Sequence, residues 1–417
     1  MSNLPSAEVG DTLVPKMPTA TLPSSLLTLF AVASGLSVAN VYYAQPLLDA
    51  IAREFGVAEA AIGSVVTATQ IGCALALVSL VPLGDRFDRR RLMVIQLLAL
   101  VGALLLVASA RSTPMLYAGM LAVGLLGTAM TQGLIAYAAS TAHGAFAHEQ
   151  GRIVGAAQSG VFMGLLGARV LSGAIADVAG WRGVYLASAV LMLVLAIPLW
   201  RRLPVLPAPR VDIGYARLLA SMLTLLREER VLRQRGMLAL LMFATLNIFW
   251  SALVLPLSAP PFSFPHTLIG AFGLVGIVGA LASTRAGQWV DRGFSQRTTS
   301  IASIVLLMAW WPLSYLQAPS ALASLAALVL GIVLLDAAAQ ALHVTNQSLI
   351  LRNRPQAAGR LIALYMLFYA IGSGLGASVS TIAYAWGGWQ AVCLLGAGVS
   401  LLALLLFVMQ RRHTHAA

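Results

Sequence analysis

The chain contains twelve apolar runs long enough to cross a bilayer as helices, and one long polar connection between them. A spanning helix needs about 20 predominantly apolar residues. Runs at 25–48, 59–83, 92–110, 114–140, 150–174 and 184–200 meet that length, and so do 237–258, 266–288, 299–316, 320–350, 360–384 and 389–409. Hydrophobic residues make up 59% of the 417 positions and charged residues 10%. Soluble domains carry about 25% charged residues. So few charges cannot clothe a water-facing surface, and the surplus apolar surface needs lipid as its solvent. The runs are continuous and do not alternate, which argues against a β-barrel and predicts an all-α integral membrane protein.

The second half of the chain repeats the first. Asp85-Arg86 returns as Asp291-Arg292, Gly151-Arg152 as Gly359-Arg360, and Gly180-Trp181 as Gly388-Trp389, at offsets of 206 to 208 residues. The pattern predicts two pseudo-symmetric six-helix bundles, with a midplane site between them. Residues 1–23, polar and proline-rich, read as a disordered tail; 24–200 as the first bundle; 201–235, with Pro204, Pro207 and Pro209, as the linker; 236–410 as the second bundle; and 411–417 as a second tail. An amphipathic helix within the linker fits its Arg/Glu-rich stretch. The first 23 residues lack a cleavable signal pattern, so the first span is expected to serve as the targeting signal.

The net charge of +12 does not point to nucleic acid. All but four of the 26 lysines and arginines fall in loops on one side of this topology, the exceptions being Arg53, Arg111, Arg169 and Arg182. That asymmetry predicts a cytoplasmic Arg-rich face with both termini inside, and anionic lipid as its partner. Cys73 and Cys393 lie within spans and suggest neither a disulfide nor a metal site. No Gly-x4-Gly-Lys-Ser/Thr stretch is present, so no nucleotide or other cofactor is expected.

Polar residues inside the spans are the candidate site, because polar groups at membrane depth turn toward a cavity or another helix. Span 10 carries Asp336, Gln340, His343 and Gln347. At 100° per residue these share one narrow face roughly 16 Å long. Gln132 is the repeat-related counterpart of Gln340. Span 1 offers Asn40 and Tyr43 as residues lining the outer half of the cavity, with Tyr42 read as an interface anchor, and span 7 offers Asn247 and Trp250, preferred over Phe249. Asp336 is the carboxylate placed deepest in a span. It has three open readings: proton coupling, substrate contact or a structural hydrogen-bond hub. Arg169 also has three: contact with an anionic substrate, neutralisation of Asp49 or Asp177, or snorkelling outward. His343 reads as a hydrogen-bonding residue and not a metal ligand. Glycines on spans 5 and 11 permit close helix approach, either as fixed packing or as a sliding surface.

After span 2 comes Gly84-Asp85-Arg86-Phe87-Asp88-Arg89-Arg90-Arg91. It resembles the cytoplasmic signature of the major facilitator superfamily, Gly-x-x-x-Asp-Arg-x-Gly-Arg-Arg. Asp85, Arg86, Arg89 and Arg90 match; Val81 and Asp88 replace the two glycines. The second copy keeps Gly287, Asp291 and Arg292. The loop reads as a charge latch, with Asp85 accepting from the N-terminus of helix 11, where Arg360 lies. Span 5 keeps Gly155 and Gly164 of the family's antiporter motif but has Leu165 for its proline and Ala168-Arg169 for its final glycines. The stretches Asn40-x-Tyr42-Tyr43-x-Gln45-Pro46 and Asp336-x3-Gln340-x2-His343 resemble a bacterial subgroup near the drug:proton antiporter branch.

The resemblance implies a monomeric secondary transporter of the bacterial inner membrane that works by alternating access. It implies proton-linked efflux of a small organic molecule such as a drug, nucleoside or sugar. The alternatives are proton-coupled import of a polar metabolite and, from another class, a non-transporting receptor or enzyme. No Ser/His/Asp grouping supports catalysis.

Overall fold

The computed structural model describes residues 22–85, 87–141, 149–203, 214–317, 320–353 and 357–415. The first half comprises α1 (Ser24–Tyr42), α2 (Leu48–Phe55), α3 (Glu59–Ser79), α4 (Arg89–Ala108), α5 (Thr113–Thr141) and α6 (Gln150–Arg202). A short amphipathic helix, α7 (Tyr215–Glu228), lies in the linker. The second half comprises α8 (Arg230–Ala252), α9 (Val254–Ser258), α10 (His266–Ala271), α11 (Ile277–Asp291), α12 (Ser295–Met308), α13 (Trp310–Leu313), α14 (Ala321–Asn353) and α15 (Ala358–His415). No strand occurs among the described residues.

Among the described residues, ten helical stretches are long and apolar enough to cross a membrane, and two of them, α6 and α15, are broken by a reversal near mid-length. In α6 the backbone leaves helical values at Gly180 (φ 69°, ψ 170°), and in α15 at Gly387 and Gly388 (φ 59° for the latter). A side chain at such φ values is strained, so glycine permits each reversal. The chain turns back at both points. Glu149, at the start of α6, accepts the Leu22 amide at 2.8 Å, and Trp200, near its end, accepts Arg90; both lie at the Arg-rich end. Trp181 and Arg182, just past Gly180, bind Glu54 at the far end. Trp389, just past Gly388, donates to the Leu313 carbonyl at 2.7 Å. Twelve crossings result, six in each half.

The second half starts its first crossing earlier than the expected boundary at 236. Helix α8 begins at Arg230, and Arg235 is buried with its guanidinium 3.2 Å from Thr299 Oγ1.

Small residues bring helices together inside each half. Gly160 and Gly164 on α6 press against Ala31 and Gly35 on α1, and Gly372 and Gly376 on α15 press against Leu240 and Ala244 on α8. Gly164 and Gly372 are repeat-related, so each bundle is pinned by the same device, and these glycines serve fixed packing within a bundle. Exposed Leu186, Val190, Val194 and Ile197 line the second arm of α6, and Leu394, Leu401 and Leu405 the second arm of α15. A large apolar surface of this kind is at home in lipid.

The two bundles meet along two seams at the end away from the Arg-rich loops. In the first, Thr67 Oγ1 on α3 donates to Gly374 O on α15 at 2.7 Å and meets Ser378 Oγ at 2.7 Å, while Thr381 Oγ1 donates to Ala60 O at 3.1 Å. In the second, Gly173 on α6 lies against the His266 backbone and Gly270 on α10 against the Arg169 backbone. Among the described residues, direct hydrogen bonds between the bundles run from this end only as far as Tyr42, whose hydroxyl meets that of Tyr369. Toward the Arg-rich end α11 packs against α14 and α12 of its own bundle. The far end is sealed by direct contacts between the bundles, whereas at the Arg-rich end the linker helix α7 reaches both, Tyr215 donating to the Ser79 carbonyl at 3.0 Å and Arg360 donating to Ser221 Oγ at 2.9 Å.

Candidate functional site

The seams end on a buried polar cluster at mid-depth. Its centre is Arg169, brought in by the first arm of α6 and only 7% exposed. Its Nε and Nη2 donate to Gln45 Oε1 at 3.1 and 2.9 Å. Gln45 Nε2 in turn donates to Asn247 Oδ1 at 3.1 Å, across the interface, and Asn247 Nδ2 donates to Ser373 Oγ at 2.9 Å. The guanidinium carbon lies 4.0 Å from the centre of the Trp250 ring and 5.8 Å from that of Tyr42. Stacking on an indole face is a favourable seat for a desolvated cation.

Asp336 on α14 faces this cluster from the second bundle. The Trp250 indole is within its hydrogen-bonding reach, and its charge acts on that of Arg169. No ion pair closes between the two among the described residues. Glycines make room for both: Gly273 lies against the Arg169 side chain, Gly276 against the Asp336 carboxylate and Gly279 against Gln340. The spacing of three residues, from the 3-10 turn Phe272–Gly276 into α11, puts Gly276 and Gly279 along the α14 stripe and Gly273 against α6.

Nearer the Arg-rich end the cluster becomes aromatic. Tyr369 stacks edge-on to Phe243 at 4.3 Å, and Phe243 to His343 at 5.4 Å. His343 Nδ1 lies 3.0 Å from the Tyr365 hydroxyl. The span 10 stripe therefore divides, with Asp336 and Gln340 turned to the α11 glycines and His343 to the tyrosines. Gln132 and Gln347 are half-buried on α5 and α14.

Asn40 and Tyr43 are placed elsewhere, which corrects the cavity assignment. Asn40 Oδ1 accepts from Ser188 Oγ at 2.6 Å, and Tyr43 stacks on Tyr185, so both face the second arm of α6 inside the first bundle. Their neighbours Tyr42 and Gln45 take the interface. A 3.6-residue wheel groups Asn40 with Tyr43, as found, but does not say which face of α1 meets its own bundle and which meets the partner. Trp250 is in the cluster, while Phe249 packs fully buried against Trp389. Arg169 neither snorkels nor meets Asp49 or Asp177; both carboxylates are held by His266. Tyr369 and Ser373 also join the cluster; they lie among the glycines of span 11, and no local sequence pattern marks them.

The signature loop serves local structure. Asp88, in place of the family's glycine, caps α4 by accepting the Arg90 and Arg91 amides at 2.9 and 3.3 Å. Arg89 donates to Gly84 O at 2.7 Å and to Ala136 O at 3.1 Å, and Arg90 covers the Trp200 ring. Arg360 binds Ser221 on α7 at 2.9 Å, and Asp291 and Arg292 are exposed at the end of α11. The Asp85 side chain and Arg86 lie outside the described residues, and so does the expected latch through Asp85.

Two six-helix bundles that meet around a polar site are the architecture of a membrane transporter. The family model of the Major Facilitator Superfamily matches residues 30–334 and 237–417, and the chain belongs to that superfamily. It is 40% identical over 390 residues to the Uncharacterized transporter YgaY of Escherichia coli O157:H7, covering 94% of this chain and 96% of that one. It is 31% identical over 391 residues to the Probable transporter SCO4007 of Streptomyces coelicolor, covering 91% and 86%. Among solved structures, a bacterial homolog of the human lysosomal transporter Spinster, inward-facing and occupied, superposes with a TM-score of 0.75 at 14% identity, over 94% of this chain and 98% of that one. The protein is a multi-pass membrane transporter and not an enzyme.

Proposed function

We propose that this protein is a proton-coupled secondary transporter that exports a small organic molecule, drug-, nucleoside- or sugar-like, across a bacterial inner membrane. The Arg-rich end faces the cytoplasm, as the charge asymmetry of the loops requires, and both termini lie there. A single copy carries the pathway. No cofactor takes part; the proton gradient supplies the energy.

One observation carries the reading. Arg169 from the first bundle and Asp336 from the second line one polar site, Gly273 lying against the Arg169 side chain and Gly276 against the Asp336 carboxylate, and among the described residues no ion pair closes between them. A lone charge at membrane depth costs about 3 kcal/mol on insertion scales. Two such charges left apart are a poor way to stabilise a fold and a good way to bind. Asp336 can take a proton or meet a cationic or hydroxyl group of the substrate. Arg169, steadied by Gln45 and Trp250, can meet a carbonyl, a phosphate or a carboxylate. Proton and substrate then act on the same carboxylate, and the bundles rock as its charge changes. Export, as against import, is supported by the resemblance of spans 1 and 10 to the drug:proton antiporter branch.

Purified protein in liposomes with an imposed pH gradient, offered a panel of small organic compounds, tests this. Wild type is expected to move a compound against its gradient in exchange for protons, and Asp336→Asn to allow only downhill exchange. Full gradient-driven accumulation by Asp336→Asn rules out the proton role; movement of compound in the same direction as protons makes the protein an importer.

A further inference from the structure

The far-end seal holds a titratable cluster that the central site does not use. His266, the first residue of α10, stands between two carboxylates of the other bundle. Its Nε2 is 3.0 Å from Asp49 Oδ1 on α2, and its Nδ1 is 3.1 Å from Asp177 Oδ1 on α6. Asp177 also accepts the backbone N–H of His266 at 3.0 Å, that of Thr267 at 2.8 Å and the Thr267 hydroxyl at 2.6 Å. It thus caps the first turn of α10 from across the interface. Asp49 is 6% exposed, and its other oxygen lies 2.9 Å from Arg53.

The hydrogen-bond inventory of these groups fixes a proton count. An ionised carboxylate only accepts, and a neutral imidazole donates from one nitrogen only. Two short nitrogen–carboxylate contacts on one ring therefore require either an imidazolium or a neutral ring facing a protonated carboxyl. In both cases the closed trio holds one proton more than a neutral histidine and two separate carboxylates. Arg53, on the same helix as Asp49, is the further charged group in contact, and among the described residues no other titratable group joins in. The 3-10 turn Gln45–Leu47, the loop 259–265, α9 and residues 272–276 carry none, and on α6 Arg169 is engaged by Gln45 and Arg182 by Glu54.

We propose that Asp49, His266 and Asp177 form a proton-binding site that ties closure of the far-end gate to the uptake of one proton, separately from Asp336. Both imidazole contacts, and the three hydrogen bonds that Asp177 accepts from the start of α10, cross between the bundles, so opening the gate must break them. The imidazole then leaves both carboxylates, water reaches all three groups and the proton departs. The sign follows from linkage. The closed state binds more protons, so acid favours closure, and the closed-to-open ratio falls as pH rises, by up to about tenfold per pH unit for one proton. Acid at this face biases the protein toward presenting its central site at the Arg-rich end.

Distance measurement on the full chain in lipid nanodiscs tests this. Spin labels at Val178→Cys and Leu322→Cys, in a Cys73→Ala/Cys393→Ala background, report the gap between the bundles; these positions are 90% and 79% exposed. Across roughly pH 5.5 to 8.5, the range in which histidine ordinarily titrates, the short-distance population of wild type is expected to shrink as pH rises. His266→Gln flattens that response, and His266→Arg, permanently charged, keeps the gate closed across the range. Asp336→Asn leaves the response in place. A wild-type distribution that ignores pH overturns the proposal. So does a His266→Gln protein that titrates like wild type, or a response abolished by Asp336→Asn alone.

Discussion

Gly276 stands directly against Asp336: a methyl group built on Gly276 would come within 2.7 Å of the carboxylate Oδ2. The same α10–α11 face gives Gly273 to Arg169 and Gly279 to Gln340. The glycines are thus a mould for the polar side chains opposite, set on a helix that belongs to the moving seam. Gly276→Ala should push the carboxylate out of its seat without changing any charge. Transport is expected to fall at least about tenfold, equivalent to about 1.4 kcal/mol, with expression and melting temperature close to wild type. Uptake into liposomes, compared with a thermal-unfolding trace on the same preparation, checks it; unchanged transport would show that the carboxylate position is loose.

Arg169 and Gln45 make a second, sharper case. The guanidinium uses Nε and Nη2 on a single amide oxygen while lying flat on Trp250. A lysine has the charge but neither the fork nor the plane. Arg169→Lys should therefore lose transport by more than about tenfold. Gln45→Leu strands a buried cation, which costs about 3 kcal/mol or more, and should lower the melting temperature as well as activity. Equal activity of Arg169→Lys and wild type would reduce Arg169 to a point charge.

The two reversals should be fragile in the same way. Gly180 and Gly388 hold positive φ with extended ψ, a region that side chains reach at a cost of about 1–3 kcal/mol. Gly180→Ala and Gly388→Ala are each expected to destabilise by that amount, read as a lowered melting temperature in detergent. Substrate affinity of the folded fraction should stay unchanged, since neither glycine approaches the polar cluster.

Architecture was readable from the sequence because lipid imposes a one-dimensional rule: long apolar runs become helices, and repeated Gly-Trp pairs mark equivalent turns. Asp336, Asn247 and Trp250 stand out in the sequence as polar or indole side chains within apolar runs. Azimuth was harder. Periodicity groups Asn40 with Tyr43 but does not say whether that face of α1 meets Ser188 and Tyr185 of its own bundle or the partner bundle. The carboxylates Asp49 and Asp177 looked like partners for Arg169 because nothing local announces that His266, 217 and 89 residues away in sequence, takes both. Contacts of that kind come from the closed arrangement of the bundles, which no local pattern encodes.

The seam itself can be locked. Thr67 Oγ1 and Ser378 Oγ are 2.7 Å apart across the two bundles, on helices that otherwise touch through glycine and small side chains. Side-chain atoms this close fit the short Cβ–Cβ separation that a disulfide requires. In a Cys73→Ala/Cys393→Ala background, Thr67→Cys with Ser378→Cys should cross-link under mild oxidation. If the far end must open in each cycle, the oxidised protein stops transporting altogether, and reductant restores it. Either single cysteine variant should be insensitive to oxidant. Full turnover by the cross-linked protein would mean that this seam never parts, and would place the route to the far side elsewhere.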